Sequence, residues 1–189
     1  MSSKRLFLIL VMVFWSQDLV AQGTVVVPEP ALDVGRATLR DELLRFRDTL
    51  STIDAAAARL QRDNGTASPE ALVSRAHVMS EACARSARNT PPARRSVLAA
   101  DANNKARLQT QGEMLQALDR LRGVLSKCEA EFQRFSRPGQ GETVRGYGND
   151  RATRVQAAIR EYETVLARFL NAMGIKVSPL GAKPRPVSS

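Results

Sequence analysis

Apolar residues recur along most of this chain in alternating steps of four and three. The cleanest run is Met114, Leu118, Leu121, Leu125, Cys128, Phe132 and Phe135. Such spacing draws one straight stripe on a helix, and the stripe must be buried against other helices, as in a coiled-coil seam. It predicts a helix over Gln111 to Ser136, closed by Arg137-Pro138-Gly139. The same rhythm in Leu39, Leu43, Phe46, Leu50, Ile53, Ala57 and Leu60 predicts an earlier helix from Gly35 to Asp63. Asn64 or Gly65 suits the left-handed residue that ends it. Asn64-Gly65-Thr66 has the form of a glycosylation acceptor, but between two helical patterns it reads as a turn.

The helix between these two starts clearly and ends early. Ser68 is a good N-cap, Pro69 fits the first helical position, and Glu70 suits the positive end of the helix dipole. Its seam of Leu72, Ala76, Met79 and Cys83, with Ser86 as a last candidate, is thinner than the others. Pro91-Pro92 predicts a stop near Asn89. Ala93 to Asn104 fits either a short separate helix or a poorly packed start to the next one, because the Met114 seam extrapolated back falls on Arg107 and Asn104.

Glycines at 141, 146 and 148 make Gln140 to Asn149 read as a loop. A last helix from Asp150 to Met173 follows, with the seam Val155, Ile159, Tyr162, Leu166, Phe169 and Met173, and Gly174 as its cap. The pattern therefore predicts an all-α helical bundle over residues 35–173, made of three long helices and one shorter one. An extended lead-in (22–34) with Pro28 and Pro30 precedes it, and a loose basic tail (174–189) follows. Composition agrees: 43% of residues are apolar but only 5% aromatic, with Ala, Leu and Arg prominent. The β-branched run Thr24 to Val27 has no second run to pair with.

The N-terminus changes the compartment expected. Lys4 and Arg5 precede an unbroken ten-residue apolar run, Leu6 to Trp15, and Ala21 offers a cleavage point before Gln22. This is the form of a cleaved signal peptide over residues 1–21, and a ten-residue run falls short of the roughly 20 needed to span a bilayer. A bacterial-looking, exported chain is expected to be periplasmic or secreted. Losing Lys4, Arg5 and Asp18 takes the formal charge from +9 to +8, so the mature protein stays basic.

Export gives the two cysteines a meaning. Cys83 and Cys128 sit on seams and face the interior, and an oxidising compartment permits a disulfide between them. With the second helix ending near Asn89, a tight hairpin at Pro91-Pro92 would set Cys83 opposite residue 100. Cys128 would then lie about 40 Å away along the axis. The disulfide therefore predicts that residues 89–103 run back along the bundle and that the two cysteine-bearing helices are parallel.

Candidate chemistry is sparse. His77 is the only histidine, lies six residues from Cys83 on a different helical face, and has no second His for a zinc site. Di-iron bundles need inward Glu and Glu-x-x-His, which are missing here. No Cys-x-x-Cys-His, G-x-S-x-G or H-E-x-x-H run occurs. The glycine-rich stretch lacks the strand and Lys-Ser/Thr of a phosphate loop. A haem or metal bound by His77 with Met79, Met114 or Met173 is the alternative reading, and no residue set supports an enzyme.

Charge says more. Arg85, Arg88, Arg94, Arg95, Lys105 and Arg107 cluster around residues 89–103 with Asp101 the sole acid, a local charge of +5. These six are the candidate partner-binding residues, for an anionic protein surface, anionic lipid headgroups or an envelope polymer. Nucleic acid is disfavoured, since no Phe, Tyr or Trp lies between Phe46 and Phe132 to stack on bases.

Overall fold

A computed structural model describes residues 34–176. Four helices follow in order: α1 (Val34–Asp63), α2 (Pro69–Leu98), α3 (Lys105–Phe135) and α4 (Gly141–Ala172). The expected signal peptide, most of the lead-in and the tail beyond Lys176 lie outside the described residues. Within them the fold is all-helical. The helices run 30, 30, 31 and 32 residues, so none is short. Each packs on its neighbours in sequence, α1 also meets α4, and α2 touches α4 across the short diagonal of the bundle.

The expected stop at Asn89 does not occur, because α2 continues through both prolines. Its buried seam reads Leu72, Ala76, Met79, Cys83, Ser86, Thr90, Ala93 and Val97, with no break at Pro91-Pro92. A proline in a helix interior costs about 3 kcal/mol through the missing amide and the ring clash. Here the turn beyond the prolines is held from outside: Gln111 on α3 donates from Nε2 to the carbonyls of Val97 (2.8 Å) and Ala100 (3.2 Å). The polar seam positions are bonded as well. Ser86 Oγ donates to Thr49 O on α1, Thr90 Oγ1 to Ser86 O, and Ser80 Oγ to Glu129 O on α3.

That continuation corrects the topology. Ser80 meets Glu129, Arg94 meets Asp119 and Val97 meets Gln111, so α2 and α3 are antiparallel. The turn falls beyond Leu98, which shifts the hairpin register and places Cys83 opposite Cys128. They form a disulfide with Cα atoms 6.0 Å apart. The bond expected from the sequence is there, but the parallel arrangement inferred from it is not, because that inference required α2 to end at the prolines.

The glycine-rich segment is helical too. Gly141 and Gly148 are seven residues apart, on one face with Val144 and Ala152, and all four are buried. Gly141 lies against Pro69 so closely that a side chain there would overlap the proline backbone. Gly148 leaves room for Leu60 and Val144. Arg145 then ties α4 to the α1–α2 turn, donating to the carbonyls of Asn64 (2.7 Å) and Ala67 (3.0 Å), while Asn64 Nδ2 donates back to Arg145 O. The Asn64-Gly65-Thr66 turn is thus fixed by α4, and Gly65 does not take the left-handed conformation.

The C-terminal cap is as expected. Gly174 has φ +73°, its amide bonds Asn171 O, and the Ile175 amide bonds Leu170 O, the paired bonds of a Schellman motif. Ile175 itself is buried. Within the core the buried rings of Phe46 on α1 and Tyr162 on α4 meet edge to face, with centroids 5.5 Å apart.

Candidate functional site

The six basic candidates separate into two groups. Arg107 occupies the polar seam position that made the start of the third helix look poorly packed. Its Nε donates to the Ala172 carbonyl at the end of α4 (3.1 Å), and its Nη1 donates to Asn103 Oδ1. A helix end leaves carbonyls without internal partners, and this side chain satisfies one of them. Arg94 pairs with Asp119 on α3 at 3.0 Å. Both therefore have structural partners.

Arg85, Arg88, Arg95 and Lys105 are exposed, and none has an ion-pair or hydrogen-bond partner among the described residues. Arg85, Arg88 and Arg95, spaced by three and seven, lie along the outward face of α2. Lys105 opens α3, just after the turn.

Arg122 is a basic residue that the charge pattern along the chain does not single out. It lies three residues beyond Asp119 on α3, and with Thr90, Pro91, Arg94, Arg95 and Asp119 it lines a cavity of about 330 Å³ between α2 and α3. The antiparallel register is what brings it there. Without that register, nothing in the local sequence connects residue 122 to residues 94 and 95.

His77 is exposed on α2, with Nε2 3.4 Å from Glu81 Oε1. Met79, Met114 and Met173 are buried in the core, on the other side of the helix wall from it. Among the described residues no three His, Cys, Asp or Glu side chains gather in a way that could hold a metal ion. His77 is therefore not brought together with any of the three methionines.

Two carboxyls on the α1–α4 seam are raised. Burial raises Asp54 above its usual range, against a hydrogen bond from Gln156 and the charge of Arg160. Burial also raises Glu163, helped by the charge of Asp54 and opposed by Arg47 and Arg160. Burial likewise pushes the Tyr162 phenol upward, and its oxygen has no hydrogen-bond partner among the described residues. These groups sit between packed helices, and none of them lines either of the two 330 Å³ cavities.

The second of those cavities lies at the bundle end, where Leu39, Ala99 and Met173 meet. Its hydroxyls, Thr38 and Ser96, have no histidine beside them to act as a base. No helix among the described residues is long and apolar enough to cross a membrane. The chain matches no family model, no curated protein and no solved structure.

Proposed function

We propose that this is an exported, non-enzymatic helical bundle that acts through contact of its basic α2–α3 hairpin with an anionic protein or cell-envelope surface. The observation that carries the reading is the row Arg85, Arg88 and Arg95: three exposed guanidiniums on one face, none of them paired among the described residues. A charge that only solubilises the bundle would be expected to mix with acids, and elsewhere on this surface Arg residues do pair with Asp or Glu. Export is supported by the n-region and apolar run at residues 4–15 and by the disulfide, a bond that persists in oxidising compartments.

The test is co-sedimentation of the mature protein with an envelope fraction at low and high salt. Binding should fall several-fold as salt rises, and fall similarly in Arg85→Ser/Arg88→Ser with an unchanged melting temperature. Binding that ignores both salt and the double substitution would refute the electrostatic contact.

A further inference from the structure

We infer that the groove between α2 and α3 at Arg94, Arg95 and Arg122 is a binding site for a phosphate group, either free or carried by a lipid headgroup. The inference rests on the basic-surface reading and gives it a defined point of attachment. Three guanidiniums and one carboxylate line the groove, a local charge of +2 that matches a phosphate rather than a single carboxylate. Asp119 engages Arg94 through Nε at 3.0 Å. That bond holds Arg94 against the groove wall and leaves its two terminal nitrogens without a partner among the described residues.

Arg95 and Arg122 are exposed and likewise unpaired among the described residues. They face the groove from the two different helices, so an anion between them would be gripped from both sides. The planar fork of a guanidinium matches phosphate oxygens two at a time, which an ammonium does not do. Pro91 lies in the wall and has no amide hydrogen to offer, so recognition falls to the side chains. The cavity, about 330 Å³, exceeds a lone phosphate and leaves room for the group that carries it.

The experiment is a titration of the mature protein with inorganic pyrophosphate, comparing wild type, Arg122→Ala and Arg88→Ala. Arg88 lies on the basic face but does not line the groove. Saturable binding is expected, weakened about tenfold by Arg122→Ala and less than twofold by Arg88→Ala, as loss of one charge-assisted contact implies. Equal weakening in both variants, or no saturation, overturns the groove site. Envelope binding that ignores both salt and Arg85→Ser/Arg88→Ser overturns the broader reading and leaves the pyrophosphate result standing.

A second arm uses phosphatidylcholine vesicles with and without phosphatidylglycerol. Release of Arg122→Ala from the anionic vesicles assigns the phosphate to a headgroup. Vesicle binding equal to wild type, alongside weakened pyrophosphate binding, assigns it to a free phosphate.

Discussion

Gly141, at the start of α4, lies against Pro69, at the start of α2, with no room for a methyl group between them. The contact joins the N-terminal ends of two helices that meet only across the bundle's short diagonal. Gly141→Ala should therefore destabilise by about 1–3 kcal/mol, the range for overpacking a filled site. Gly146→Ala is the control, since a Cβ there meets nothing within 4 Å. In an exposed helix position it should stabilise by about 1 kcal/mol. Urea unfolding of both variants checks the pair, and equal effects would remove the contact from the account.

Arg107 and Arg85 look alike in sequence and differ in the fold. Arg107→Ala loses the bonds to Ala172 O and Asn103 and should cost about 1–2 kcal/mol. Arg85→Ala removes an exposed side chain and should stay within about 0.5 kcal/mol of wild type. Thermal unfolding separates them. If Arg85→Ala proves the more destabilising, the division of the basic residues is wrong.

The Tyr162 phenol is buried without a hydrogen-bond partner among the described residues, while its ring packs on Phe46. Tyr162→Phe keeps the ring and removes the unsatisfied hydroxyl. Stability should hold or rise by about 1 kcal/mol. A loss of similar size in chemical denaturation would mean that the hydroxyl is bonded in solution.

Asp54 and Glu163 titrate above their usual values of 3.8 and 4.5, so the folded chain holds protons that the unfolded chain has released. Their contribution is fully present below those values and is lost as pH rises through the raised range. Arg47 on α1 and Arg160 on α4 face the pair and limit the effect. Glu70 works in the opposite sense: bonds from its own amide and from Ser68 hold it low, so its contribution is lost on acidification. Comparing variants with wild type isolates the seam. Asp54→Asn/Glu163→Gln should gain stability at pH 7 relative to wild type, and the gain should vanish toward pH 4. A pH-independent difference between the two proteins would contradict the burial of this pair.

The disulfide closes 45 residues, and in the chain-entropy model such a loop contributes about 4 kcal/mol. Cys83→Ala/Cys128→Ala should lose most of that. Both half-cystines are buried, at 0% and 2% exposure, so reductant should open the bond only at denaturant levels that unfold the bundle. Thiol alkylation followed across a denaturant series tests this. Alkylation well before unfolding would show that the bond is reached from the native state.

The sequence alone determined the helical class, the seams of α1 and of α3 from Met114 on, the Ser68 start of α2, the Gly174 cap and the pairing of the two cysteines. All of these are local or periodic properties, readable over one or two helical turns. Two further seams were also written in the chain. Thr90, Ala93 and Val97 continue α2 in steps of three and four, and Gly141, Val144, Gly148 and Ala152 continue α4 backward. Locally, though, proline reads as a break and glycine as slack. Only the tertiary structure decided otherwise. Hydrogen bonds from Gln111 and Arg145, and burial against Pro69 and Leu60, come from residues that a local reading cannot place beside them. The same long-range register set α2 and α3 antiparallel, tied Arg107 to the end of α4, paired Arg94 Nε with Asp119 and brought Arg122 to the groove. Propensity acts over a few residues and costs a few kcal/mol at most, whereas packing draws on the whole bundle, and here packing prevailed.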